Sequence, residues 1–169
     1  MKNFINSILT ILTFTFLSCQ KKEDKTINNI SFYYISSYKE IHIEMRRTHD
    51  NEKAHVRVHS KTLDDNNENF PKWNAATDTT FYINKNLFDK LTKSIPSLEK
   101  IDTDKAFEMG LDGNTWKIEF GAKGKNQNYI FWSPNYETKK RGLTEFISIS
   151  KEIYKTANLK KEDFYKYQK

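Results

Sequence analysis

Hydrophobic and polar positions alternate along much of the middle of this chain. From Glu40 to Arg46, Ile41, Ile43 and Met45 fall on one side and Glu40, His42, Glu44 and Arg46 on the other. Ala54 to His59 repeats the pattern, with Ala54, Val56 and Val58 against His55, Arg57 and His59. A period of two is the mark of a strand with one face buried. Asp50-Asn51 lies between the runs, and these residues tolerate the backbone of a tight turn. Pairing about that turn sets Ile43 opposite Val58, Met45 opposite Val56, Glu44 opposite Arg57 and His42 opposite His59. A slip of one residue would put apolar side chains opposite polar ones, so the pattern predicts the register as well as the hairpin.

Ile30 to Ser36 is rich in Tyr, Phe and Ile and reads as a further, buried strand. Ser60 to Thr77 reads as a long polar loop, its second half pinned by Phe70, Pro71 and Trp73. Asp64, Asn66 and Glu68 start like a calcium loop, but Asn69 stands where glycine is needed and Ala75 where the closing carboxylate belongs. Thr79 to Ile83 predicts a fourth strand. Asn86 is a candidate N-cap for a helix whose Leu87, Phe88, Leu91 and Ile95 share one face and which Pro96 ends. Ser97 to Gly110 is irregular, with one short turn around Ala106 to Met109. The cluster Gly110-Leu111-Asp112-Gly113-Asn114 predicts a turn into a strand with Trp116, Ile118 and Phe120 on one side. Tyr129 to Trp132 forms its partner, ended by Ser133-Pro134. Leu143, Phe146, Ile147, Ser150, Ile153, Tyr154 and Ala157 recur at spacings of 3, 1, 3, 3, 1 and 3, the stripe of an amphipathic helix.

The sum predicts an α+β fold: a mainly antiparallel sheet of about six strands with two helices packed on one face, in the order ββββ-α-ββ-α. Strands with one polar face favour an open two-layer sheet over a sandwich. A closed lipocalin-like barrel is the alternative, weakened by the helix between strands. The single domain spans 30–158, followed by a basic tail at 159–169 that carries Phe164, Tyr165 and Tyr167.

Composition changes the picture at the start of the chain. From Phe4 to Leu17 there is no charge and an abundance of Ile, Leu, Phe and Thr, preceded by Lys2 and followed by Ser18-Cys19. A basic start, an apolar run and a small residue before the cut describe a secretory signal over 1–18. The run is too short, and too broken by Asn6 and several Thr, for a bilayer span of roughly 20 apolar residues. Phe16-Leu17-Ser18-Cys19 resembles the lipobox of bacterial membrane lipoproteins, with Phe16 departing from the usual leucine. The resemblance implies that Cys19 becomes the first residue and carries lipid, and several acyl chains anchor a protein stably. Residues 19–29 are then anchor and tether. Gln20-Lys21-Lys22-Glu23-Asp24 is similar to the export tag of surface-exposed lipoproteins in some Gram-negative bacteria, with Lys22 as the departure. It implies an outer-membrane location with the domain facing outward. A second resemblance covers the last third: Asp112-Gly113-Asn114-Thr115-Trp116-Lys117-Ile118-Glu119, Tyr129 to Trp132, Ser133-Pro134 and a final helix look like a module found in small uncharacterised bacterial proteins. It implies an α+β hairpin and helix packed together, and no activity.

Removing residues 1–18 from the 169 leaves 151, with 27 basic and 22 acidic residues. That is one domain of ordinary size. No cysteine remains beyond Cys19, which excludes intrachain disulfides and thiol chemistry in the domain. The charges are interspersed, as on a solvated surface, and no basic stripe with interleaved aromatics points to nucleic acid.

The function expected is a lipid-anchored, non-catalytic binding or interaction module, held to the membrane through Cys19, with a protein partner and no cofactor. Phe70, Trp73, Tyr165 and Tyr167 are the candidate partner contacts. An inhibitor or immunity-type lipoprotein against an envelope hydrolase or toxin is the narrower alternative. The acids available to meet a basic active site are Asp64, Asp65 and Glu68. A hydrolase or metal site on the polar hairpin face is the third reading. His42 and His59 are close enough across strands to share an ion with Glu44 as third ligand, whereas His55 lies roughly 13 Å from His59 along the strand. In the last third of the chain, Glu119, Asp112 and Trp132 could line a site. No G-x-S-x-G, H-E-x-x-H or phosphate loop occurs.

Overall fold

The alternation read from the sequence is the burial pattern of the sheet. A computed structural model describes residues 26–64, 72–122 and 125–159. The elements are β1 (Asn29–Ser36), β2 (Lys39–Arg47), β3 (Lys53–Asp64), β4 (Lys72–Asn84), α1 (Lys85–Ser94), a 3-10 helix (Ile95–Lys100), α2 (Thr103–Ala106), β5 (Asn114–Ala122), β6 (Lys125–Trp132) and α3 (Thr144–Thr156). Six strands form one sheet in the order β4-β3-β2-β1-β5-β6, every neighbouring pair antiparallel. The chain therefore makes an α+β fold with β4 and β6 at the edges. Among the described residues no helix is long and apolar enough to cross a membrane.

The β2–β3 register is the one the alternation predicts: Ile43 faces Val58, Met45 faces Val56, Glu44 faces Arg57 and His42 faces His59. Asn51 takes the left-handed turn conformation at φ 60°, which asparagine accepts more readily than most residues. One face of the central strands is buried: Ile30, Phe32 and Tyr34 of β1, Ile41, Ile43 and Met45 of β2, and Trp116 and Ile118 of β5. The strand at Ile30 to Ser36 is thus buried on one face only, and Tyr33 and Ile35 lie on the other.

All seven residues of the predicted stripe from Leu143 to Ala157 are buried. Tyr154 meets Phe32 edge-on at 6.4 Å, and Phe146 meets Phe131 edge-on at 4.9 Å. Such aromatic pairs add about 0.5–1.5 kcal/mol each beyond the area they bury. Phe88 and Leu91 of α1 belong to the same core cluster. Arg47 ties β2 to α1, bonding Asp89 while its guanidinium lies 4.9 Å over the Phe88 ring.

Three local expectations are corrected. The loop expected over Ser60 to Thr77 is largely strand, because β3 runs to Asp64 and β4 begins at Lys72. Backbone pairing to β3 holds β4 although most of its side chains are exposed, and a bulge at Ser60/Lys61 absorbs an extra residue. The N-cap of α1 is Asn84, not Asn86: the last residue of β4 stays extended and its side chain accepts from the Leu87 N–H at 2.9 Å. The α-helix itself ends at Ser94, just before Pro96 as expected, and the chain tightens there into the 3-10 helix with Pro in its first turn. The short turn sits at Thr103–Ala106, capped by Asp102, rather than at Ala106 to Met109.

Candidate functional site

Two surfaces stand out, the open face of the sheet and the free edge of β6. On the open face the register lines up one residue from each strand: Asp78, His59, His42, Tyr33, Lys117 and Ile130. A second row holds Thr80, Arg57, Glu44, Ser31, Glu119 and Asn128. The structure thus brings His42, Glu44 and His59 together on one face, as the hairpin requires.

The electrostatics of this face are mostly satisfied internally. The His42 and Tyr33 rings stack at 4.3 Å, and the Lys117 ammonium lies 5.0 Å from the Tyr33 ring centre. Lys117 also pairs with Glu119 at 2.7 Å. That bond, with help from the Tyr33 hydroxyl, holds the Glu119 carboxyl below its usual range. Burial, and then Glu119, push the Tyr33 hydroxyl up. Glu44 and Arg57 stand opposite each other as the register predicts, but they do not form an ion pair with one another. Arg46 takes Glu44 at 3.1 Å, and Arg57 takes both oxygens of Asp78. A guanidinium forks more readily onto a free carboxylate of the edge strand than onto one already engaged.

Among the described residues, His42 Nε2 and His59 Nδ1 are buried without a hydrogen-bond partner. His59 Nδ1 lies 3.9 Å from Asp78, an ion-pair distance but too long for a hydrogen bond. Burial lowers the His42 pKa, opposed by Glu44 and reinforced by His59, so the ring is neutral at pH 7. Glu44 does not complete a centre, because among the described residues no group of three His, Asp, Glu or Cys is placed to hold a metal ion.

The second surface was less legible. Phe107 is 66% exposed, Met109 74%, Ile130 56%, and Leu111 fully exposed. Phe107 and Met109 face Asn128 to Trp132 across a groove of about 540 Å³. Its wall is anchored by Arg141, which is 4% exposed and donates to the carbonyls of Ala106, Trp132, Ser133 and Tyr136 at 2.8 to 3.2 Å. Gly110 and Gly113 press on the Trp132 indole so closely that a Cβ at either would collide with it. These glycines are there for close approach.

The other expected site residues scatter. Trp73 is partly exposed on β4, at the far edge from the groove. Trp116, expected on the apolar side of its strand, is core, with its indole N–H bonded to Asn114. Asp112 is exposed in the turn before β5, and Trp132 is half-buried under the two glycines. Cys19, Asp65, Phe70, Tyr165 and Tyr167 lie outside the described residues. The signal for the groove was Phe107, Met109 and Leu111, three large apolar residues alternating through an irregular stretch with no partner strand in view.

Set against protein-family models and curated proteins, the chain matches no family and no protein.

Proposed function

We propose that this chain is an envelope lipoprotein whose domain is a non-catalytic binding module. Residues 1–18 direct export, Cys19 carries the lipid, residues 20–29 are the tether, and the domain faces outward from the outer membrane. The observation that carries the reading is the uncharged apolar run Phe4 to Leu17 ending in Ser18-Cys19. The domain reads as two layers, with α1 and α3 sharing the buried sheet face and the last third formed by the recurrent hairpin-and-helix module. The binding role is supported by the neighbouring exposed apolar side chains of Phe107, Met109 and Leu111. The acidic wall residues Asp104 and Glu108 favour a partner with basic groups, which also suits the narrower inhibitor or immunity reading.

The test has two arms in the native cells. Cys19→Ala should release the protein from membranes and abolish the mass of a lipid-modified N-terminal cysteine. A variant that stays membrane-bound at unchanged size would sink the anchor. Crosslinking and capture of the lipidated chain should recover one protein in near-equal amount. Recovery of none would remove the binding module.

A further inference from the structure

We infer that the groove along the free edge of β6 receives an extended peptide segment of a partner protein, apolar with basic residues, which joins the sheet as a seventh strand. This rests on the binding-module reading and names its site.

The main-chain chemistry comes first. The Ser133 N–H bonds the Asn114 carbonyl at 2.6 Å, so Asn114 and Ser133 are a bonded pair. Bonded and non-bonded pairs alternate in an antiparallel ladder. Thr115↔Trp132, Lys117↔Ile130 and Glu119↔Asn128 are therefore non-bonded pairs. The N–H and C=O groups of Asn128, Ile130 and Trp132 then point away from β5. Arg141 occupies the Trp132 carbonyl at 3.0 Å. Among the described residues, no backbone hydrogen bond outside the ladder takes up the groups of Asn128 or Ile130. Both residues line the groove, and such an edge is a template for another strand.

The wall selects the occupant. Phe107, Met109, Tyr129 and Phe131 give the groove an apolar lining. Among the described residues its charged lining is Asp104 and Glu108, with no Lys or Arg, while Lys140 and Arg141 lie within electrostatic reach of Glu108. An acidic groove on a chain of net charge +6 favours cations locally against the field of the whole protein. An extended peptide alternating apolar and basic residues satisfies the edge, the apolar lining and the two carboxylates together. The Arg141 clasp and the glycine contacts at Trp132 hold the wall in place before binding, which reduces the ordering cost.

The test is amide hydrogen exchange on the full chain with a short synthetic peptide alternating lysine and valine, against its glutamate–valine counterpart. The lysine peptide should slow exchange at Asn128 and Ile130 by about tenfold or more and leave β4 unchanged. The glutamate peptide should have no effect. Reversing the wall by Asp104→Lys with Glu108→Lys, both near the surface, should exchange the two preferences. Ile130→Pro removes one outward N–H, a change an edge strand accepts, and should weaken the lysine peptide by about tenfold. Equal protection by both peptides, protection spread to β4, or no protection of β6 would overturn the proposal. In the last case, a partner still captured by the lipidated chain would leave the binding module standing without this site. Protection of β6 with no partner captured from cells would keep the site and remove the module.

Discussion

Arg141→Met is the substitution whose cost the structure fixes most closely. The guanidinium is buried with no carboxylate bonded to it, and burial lowers its pKa. Its work is to satisfy four carbonyls. The Ser133 carbonyl keeps a second bond, from the Tyr136 N–H at 2.9 Å. Methionine fills similar space and donates nothing, so the carbonyls of Ala106, Trp132 and Tyr136 lose their bonds. A buried carbonyl left unpaired costs about 1–3 kcal/mol. Removing a buried charge that Glu108 and Glu137 offset only in part returns some of that sum, and water can reach the rim at the exposed Tyr136. The net loss expected is about 3 kcal/mol, from a total that for most domains is 5–15 kcal/mol. Urea unfolding at pH 7 measures it, with an unchanged slope confirming the same two states. Arg141→Lys should recover about a third, because a point charge reaches fewer carbonyls than a fork. A loss below about 0.5 kcal/mol for Arg141→Met would refute the clasp, since surface substitutions fall within that range.

Three further outcomes follow from the same geometry. Phe146→Ala removes a fully buried ring that meets Phe131 edge-on and should cost about 3–5 kcal/mol by denaturant unfolding. Asn84→Ala removes the side-chain bond to the Leu87 N–H and should cost about 1 kcal/mol, whereas Asn86→Ala should cost almost nothing. Burial lowers the His42 pKa, so below pH of about 6.5 the unfolded chain binds a proton that the folded chain does not. That contribution is complete above the ordinary histidine value and is lost as pH falls through the folded value. His42→Phe should therefore flatten the fall in stability from neutral pH into the acid range, and superimposable pH profiles would show that the ring does not titrate differently on folding.

What the sequence disclosed follows from where side chains decide structure. The β2–β3 register was legible because both strands bury one face, so only one alignment places Ile43 and Met45 against Val58 and Val56. The α3 stripe was legible for the same reason at helical period. Only the second half of β4 was legible, as the strand at Thr79 to Ile83; its first half is held by its backbone at the sheet edge, and Lys72 to Thr77 carries no buried side chain and reads as loop. Arg141 was hidden because its role depends on four carbonyls contributed by segments up to 35 residues away. The groove was not legible: Phe107 and Met109 sit in a stretch that reads only as irregular, and the strand edge they face follows from the topology, which puts β6 outermost. The histidine face shows the reverse. The register was legible, yet Asp78, the acid that engages Arg57, came from the part of β4 that precedes the predicted strand.

The most direct test of the account is a photo-crosslinking residue placed at Ile130 in the full-length, lipidated chain in its own cells, with Tyr82 on the opposite edge as the control. Both positions are exposed, so accessibility does not bias the comparison. A single partner crosslinked from Ile130, absent from Tyr82 and lost on Asp104→Lys with Glu108→Lys, is the result the account requires. Equal labelling from both edges, or none from Ile130, would contradict it.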